Sequence, residues 1–237
     1  MNKIVKLSVV VPCYNEEKNI PLILERFDNA IHRDDIEVLL VNNGSTDGSE
    51  IIFNELIPKY AFARVVNVES NQGYGFGIVS GLKKAKGEFI GYTHADMQTD
   101  PTDVLIAMDI IEKQKKPEKC YIKGDRKGRG IFDQFFTIGM SVFETLYLGV
   151  RLWDINAQPN IFHRKFFESV QDGCPKDFSF DLYLLYMAHK KGVEVFRFDV
   201  AFPKRAHGES SWNNGMVSKW KFIKRTLGFS FKLKKEL

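Results

Sequence analysis
The stretch Gly91-Tyr92-Thr93-His94-Ala95-Asp96-Met97-Gln98-Thr99-Asp100-Pro101 ends an apolar run in an acidic turn, which Pro101 then converts into a helix. A carboxylate at the C-terminal edge of a strand is where α/β proteins keep ligands. Asp96 offers that carboxylate, and Gln98 offers a neutral oxygen on the same side if the turn is extended. Oxygen donors of this kind suit Mg2+ or Mn2+, which prefer carboxylate, carbonyl and water ligands and commonly bridge phosphates. His94 adds an imidazole able to ligate Mn2+ or bond a hydroxyl, although when neutral it brings no charge. Two other apolar runs end in polar clusters: Leu7 to Val11 leads into Pro12-Cys13-Tyr14-Asn15-Glu16-Glu17, and Glu37 to Val41 into Asn42-Asn43-Gly44-Ser45-Thr46-Asp47. Tyr14 can stack on a base, and Glu16 can accept hydrogen bonds. Asn42 and Asn43 can both donate and accept. Asp47 precedes a helical pattern and reads better as a cap than as a ligand contact.

These clusters need strands that deliver them to one edge. Short apolar or β-branched runs at Leu7 to Val11, Ile36 to Val41, Arg64 to Val68, Glu88 to Tyr92 and Cys120 to Lys123 alternate with helical patterns, including Leu22 to Ala30 and Ser49 to Tyr60. That alternation predicts an α/β fold with a mainly parallel sheet flanked by helices. The second half changes character. Gly124 to Gly130 reads as a basic, glycine-rich loop, followed by a long apolar helix from Ile131 to Leu148, the stretch Asp154 to Phe162, a helix near Phe180 to Lys190 and a strand from Val193 to Phe198. No linker or low-complexity tract divides the 237 residues, so one domain over 1–237 is expected. Gly73 to Gly77 lacks the spacing of a dinucleotide fingerprint and follows the wrong strand for one.

Three scattered cysteines, Cys13, Cys120 and Cys174, argue against a disulfide framework or a zinc site and fit a reducing cytoplasm. The first residues read as a strand rather than a signal peptide, and no apolar run approaches the ~20 residues that span a bilayer. The net charge of +4 is modest, but Lys219, Lys221, Lys224, Arg225, Lys232, Lys234 and Lys235 crowd the C-terminal segment 213–237 among Trp220, Phe222, Phe229 and Phe231. The segment reads either as a peripheral contact with an anionic membrane or as a terminal helix with one face on the core. No nucleic-acid-binding motif accompanies the charge, and the sequence leaves a homodimer open.

The motifs resemble the nucleotide-sugar glycosyltransferases of family 2. Val9-Val10-Val11-Pro12-Cys13-Tyr14-Asn15-Glu16-Glu17 matches that family's first-strand pattern in full, and His94 to Pro101 is similar to the variant found in the branch around dolichyl-phosphate mannose synthase. The resemblance runs from about Leu7 to Trp212. It implies a GT-A fold, a nucleotide-sugar half over 1–123, an acceptor-side half over 124–212, and inversion at the anomeric carbon. It places Pro12, Tyr14, Glu16, Asn42 and Asn43 at the nucleotide. It places Asp96, with Gln98 and His94, at a Mg2+ or Mn2+ ion and the diphosphate. His94 stands where the family usually has Asp, Asn42 and Asn43 replace two acids, and Ser211 replaces a lysine. Arg126 follows Gly124-Asp125 as in a family loop and offers a fork to phosphate, the alternative being a solvated charge. Arg205 and His207 precede Gly208-Glu209-Ser210-Ser211-Trp212, similar to an element that closes over the diphosphate.

Asp181 lies where many members keep a catalytic base; otherwise it is an early helix residue facing solvent. Asp154, near Asn156 and Gln158, is a further acceptor-side candidate. The implied reaction is transfer from a nucleoside-diphosphate sugar to a lipid-linked acceptor, polyprenyl phosphate, at the inner face of the cytoplasmic membrane. Transfer to a saccharide hydroxyl in surface polysaccharide assembly, or a binding scaffold that has lost turnover, are the alternatives.

Overall fold
The computed structural model describes residues 4–128, 130–203 and 216–236. Its first half alternates strand and helix as expected: β1 (Leu7–Cys13), α1 (Ile20–Ala30), β2 (Ile36–Asn43), α2 (Ser49–Leu56), β3 (Ala63–Val68), α3 (Tyr74–Leu82), β4 (Phe89–Tyr92) and α4 (Asp103–Glu112). The second half supplies β5 (Cys120–Lys127), α5 (Ile131–Leu148), β6 (Asn160–His163), α6 (Arg164–Glu168), α7 (Phe180–Lys190), β7 (Glu194–Ala201) and α8 (Met216–Glu236). All of these strands join one sheet in the order β3-β2-β1-β4-β6-β5-β7.

Alternation along the central strands explains why helices cover both faces. Leu7, Val9 and Val11 point into one core with Val38 and Leu40, against α1 and α4. Val10, Leu39 and Val41 point into the other, with Ile78 of α3 and Phe180 and Leu184 of α7. Parallel strands buried on both faces read as near-continuous apolar runs, as these do.

Two features depart from the sequence reading. Gly124 to Lys127 is not a loop but the end of β5, paired in parallel with β7 through Lys127 and Ala201. Asn160 to His163 forms an additional strand, antiparallel to both β4 and β5. Because β6 reverses direction between them, β4 and β5 run the same way, and β5 delivers its C-terminal end to the same edge as β1, β2 and β4.

The C-terminal helix α8 lies on α5. Leu233 is buried, Ser230 Oγ bonds Glu144 Oε2 at 2.7 Å, and Lys234 Nζ donates to the Tyr147 carbonyl at 2.7 Å. Among the described residues no helix is long and apolar enough to cross a membrane. The other Glu144 oxygen has no hydrogen-bond partner among the described residues, and burial pushes this carboxyl up to about 7, against the opposing hydrogen bond from Ser230. The folded chain therefore holds a proton there that the unfolded chain releases, so stability falls as pH rises from the unfolded value near 4.5 to about 7. Glu144→Gln is expected to match the wild type at pH 4 and to exceed it at pH 8 by up to about 3 kcal/mol. Urea unfolding at the two pH values checks this; an unchanged difference between variant and wild type at both would refute it.

Candidate active site
The loops that leave β1 and β2 are laced together before any ligand is considered. Asn15 takes a left-handed conformation, φ 58°, which asparagine tolerates, and its Oδ1 accepts from Thr46 N at 2.8 Å. Asn15 N donates to Ser45 Oγ, Glu16 N to Ser49 Oγ and Glu17 N to Asp47 Oδ2. Asp47 also accepts from Ser49 N at 3.0 Å, so it organises the start of α2. Gly44, φ 68°, lets the β2 loop approach the backbone of Ser70 and Asn71 so closely that a Cβ would lie 2.5 Å from Asn71 N.

Within this frame Tyr14 is 45 % exposed at the rim, a ring face open to stacking, while Pro12 is half-buried. Glu16 is half-buried and accepts from Asn19 Nδ2 at 2.6 Å, so part of its carboxylate serves the start of α1. Asn42 Oδ1 accepts from Ser45 N at 3.1 Å. Asn43 is buried, donates to the Gly73 carbonyl at 3.2 Å and keeps an Oδ1 without a partner among the described residues. Replacing the acids expected here by amides suits a place where the side chain must donate to a carbonyl, which a carboxylate cannot do.

Asp96 sits just past the end of β4, largely buried, with Oδ1 accepting from Gln98 N at 3.0 Å across Met97, φ 57°. Gln98 Nε2 reaches the Pro203 carbonyl at 3.3 Å, which brings the segment after β7 to this turn. His94 is half-buried with its ring 6.0 Å from that of Tyr74 at the start of α3. Asp96 and Gln98 thus bring a carboxylate and an amide oxygen to one turn, donors that suit Mg2+ or Mn2+ when phosphate oxygens and water complete the shell, with the His94 imidazole two residues before Asp96 in the chain. Among the described residues no group of three or more His, Cys, Asp or Glu side chains is placed to hold a metal ion by itself. Arg205, His207 and Ser211 lie outside the described residues.

Behind His94 lies a buried polar network that sequence reasoning missed. Tyr74 stacks on Phe178, and its hydroxyl accepts from Gln158 Nε2 at 2.9 Å. The same Gln158 nitrogen donates to Asp181 Oδ1, which also accepts from Tyr92 Oη at 2.8 Å. Gln158 Oε1 accepts from Asn160, whose Oδ1 in turn accepts from Tyr121 Oη and Lys123 Nζ. Asp181 therefore does not face solvent. It is buried in α7, and burial raises its carboxyl above the usual range, although Lys123 and the Tyr92 hydroxyl oppose the shift. Burial likewise pushes Lys123 down to about 7. Lys123, a charge closing the apolar run Cys120-Tyr121-Ile122, was the visible signal, because a lysine in a central strand must find buried partners.

Arg126 is neither a loop residue nor a solvated charge. Its Nε donates to both Asp154 oxygens, at 3.0 and 3.1 Å, and its Nη2 makes a further bond to Oδ1. Both side chains are buried, at 7 % and 4 % exposure. Burial works to raise the Asp154 carboxyl, but the guanidinium outweighs it and holds the group below its usual range. The fork offered to phosphate is thus turned onto Asp154, and Phe202 covers the guanidinium at 5.1 Å.

Residues 8–149, more than half of the chain, match the family described as Glycosyl transferase family 2. The chain belongs to that family. Among curated relatives, it is 28 % identical over 176 residues to the dodecaprenyl-phosphate galacturonate synthase of Rhizobium johnstonii, a match covering 70 % of this chain and 50 % of that protein. It is 27 % identical over 218 residues to the undecaprenyl-phosphate 4-deoxy-4-formamido-L-arabinose transferase of Photorhabdus laumondii, covering 89 % of this chain and 64 % of that one. The chain thus spans half to somewhat under two thirds of these relatives' length. In fold it is similar to the glucosyl-3-phosphoglycerate synthase of Mycobacterium tuberculosis, crystallised with Mn2+, UDP and glucosyl-3-phosphoglycerate. The TM-score is 0.70 at 18 % identity, covering 96 % of this chain and 78 % of that one. The architecture is the GT-A arrangement expected for family 2.

Proposed function
We propose that this family 2 member is an inverting glycosyltransferase that moves a sugar from a nucleoside diphosphate to polyprenyl phosphate at the cytoplasmic face of a membrane. The burial of Asp181 carries the choice of acceptor. A hydroxyl acceptor needs a base to take its proton, and the carboxylate offered for that duty is buried, with its Oδ1 already accepting from Tyr92 Oη and Gln158 Nε2. A phosphate acceptor is already ionised and needs none. The relatives named for dodecaprenyl- and undecaprenyl-phosphate support the same reading.

In this reading Tyr14 stacks on the base, and Glu16, Asn42 and Asn43 hold the nucleoside by hydrogen bonds. Asp96, with His94 and Gln98, would hold Mg2+ or Mn2+. Such an ion neutralises the diphosphate as it leaves. Gln98 Nε2 is tied to the Pro203 carbonyl, and Arg205, two residues further along the chain, would share that charge. The acceptor phosphate oxygen bonds to the anomeric carbon as the bond to the donor diphosphate breaks on the opposite side, which inverts the centre. Asp181 acts as a positioning residue, through Gln158 and Tyr74, for the wall beside His94.

The test offers UDP- and GDP-sugars, with Mn2+ or Mg2+, to the wild type and Asp181→Asn in the presence of polyprenyl phosphate. A lipid-linked sugar is expected from both, with the variant within about fivefold of the wild type, whereas loss of a true base costs about 100-fold or more. A drop of that size would restore Asp181 as base. Transfer only onto a lipid-linked saccharide would favour the hydroxyl acceptor, and nucleotide binding without turnover would favour the scaffold.

A further inference from the structure
Helix α5 presents an apolar face that no described residue covers. Phe135, Ile138, Val142, Phe143 and Leu146 are 77, 44, 49, 37 and 78 % exposed. At 100° per residue they fall within an arc of about 140°. From Gln134 to Leu148 the only charged residue is Glu144, which is buried on the opposite face against Ser230. Of the twelve large hydrophobic side chains exposed among the described residues, seven lie on α5 and α8, so the exposure is concentrated rather than scattered.

The rim of this face is cationic. Tyr147 stacks on Phe143 at 5.7 Å, meets Phe231 of α8 edge-on at 5.1 Å, and carries Lys234 Nζ 4.3 Å above its ring. Lys224, Lys232 and Lys235 are exposed on α8, Trp220 is 69 % exposed, and Glu236 is the only acid between Met216 and Glu236. Aromatic rings beside lysines, next to an uncharged apolar row, are the composition of helices that lie in the interface of an anionic bilayer. A second copy fits less well, because a two-fold contact through this face would bring two lysine-rich rims together. Helix α5 follows β5 at the site edge of the sheet, and α8 sets the Arg225 guanidinium 5.1 Å from the ring of Phe178, which stacks on Tyr74.

We propose that the outward face of α5, rimmed by the basic aromatic edge of α8, docks the protein on an anionic membrane by inserting Phe135, Val142 and Leu146 among the headgroups. The basic C-terminal segment supplies attraction, and α5 supplies the apolar insertion that charge alone cannot. The use of this surface rests on the membrane-bound acceptor proposed above, but its evidence is separate, and the experiment keeps the two apart.

The full chain is mixed with vesicles of phosphatidylcholine, alone or with phosphatidylglycerol, without polyprenyl phosphate or nucleotide sugar, and floated through a density gradient. The wild type is expected to float with the anionic vesicles. Phe135→Ser/Leu146→Ser is expected to bind at least about tenfold more weakly, since two large apolar side chains no longer enter the interface. Leu146→Trp should bind at least as tightly as the wild type. All three should transfer sugar equally to detergent-dispersed polyprenyl phosphate. Flotation of the double serine variant like the wild type, or no flotation of the wild type, overturns the proposal. So does a wild-type dimer on sedimentation that the double variant abolishes without any vesicle binding. Vesicle binding with no transfer in detergent would instead sink the functional reading and leave the docking surface standing.

Discussion
Asp96→Ala is expected to lower sugar transfer by about 10³-fold while leaving the fold almost as stable as before. The activity loss follows from position. Asp96 is the carboxylate just past the C-terminal end of β4, the strand beside β1, and the proposed function puts the charge of the diphosphate there. Removing a preorganised group that stabilises developing charge commonly costs about 10²- to 10³-fold, and loss of the ion it would hold adds to that. The stability loss is small, because the hydrogen bond that its Oδ1 accepts from Gln98 N is worth about 1 kcal/mol. Asp96→Asn keeps an acceptor for Gln98 N and should recover that stability without recovering activity. Initial rates with Mn2+, thermal melts and calorimetric binding of UDP and GDP with metal or chelator separate these effects. An Asp96→Ala enzyme that transfers within tenfold of the wild type, or nucleotide binding indifferent to both metal and the substitution, would remove Asp96 from the role assigned here.

The parts of this site that are legible in the sequence are those made by neighbours in the chain. Strand runs ending in Asn42-Asn43 and in His94-Ala95-Asp96 announce an edge, and helix periodicity locates α5 and α7 at the bounds observed, Ile131–Leu148 and Phe180–Lys190. Asp47 shows itself as an organiser of α2, because that job is local. What stays hidden depends on pairs far apart in sequence. Asp181 meets Tyr92 across 89 positions, and no local pattern distinguishes a helix aspartate that faces solvent from one that holds a tyrosine hydroxyl inside the core. The apolar row of α5 is similar: periodicity shows that a face is hydrophobic, but only the packed neighbours reveal that it is left outside. The end of β5 reads as a loop because Gly124 to Lys127 is glycine-bearing and charged. Its strand conformation is imposed by pairing with β7 and by the Asp154 clamp, not by its own propensity.

That clamp yields the largest expected change in stability. Arg126→Met should destabilise the fold by about 3 to 5 kcal/mol, because it leaves the buried Asp154 carboxylate without the guanidinium that neutralises it. For a chain of this size that is a fall in melting temperature of about 10 °C. Asp154 cannot relax outward cheaply. It sits at φ 35°, its N–H is held by Ser141 Oγ, and its Oδ2 still accepts from the backbone N–H of residue 126. Removing the stranded charge should therefore rescue the variant. Asparagine is the replacement of choice, since it tolerates the left-handed backbone and keeps an acceptor for that N–H. Arg126→Met/Asp154→Asn is expected to recover at least about half of the lost stability, with the introduced methionine side chain packing under Phe202 where the guanidinium lay. A structural clamp and a phosphate ligand predict opposite patterns. If Arg126 serves the fold through Asp154, the double variant regains both stability and nucleotide affinity. If its fork instead grips the diphosphate, Arg126→Met melts near the wild-type temperature and the double variant stays as deficient in nucleotide binding as the single one. Denaturant midpoints and calorimetric nucleotide affinities on the two proteins decide between them.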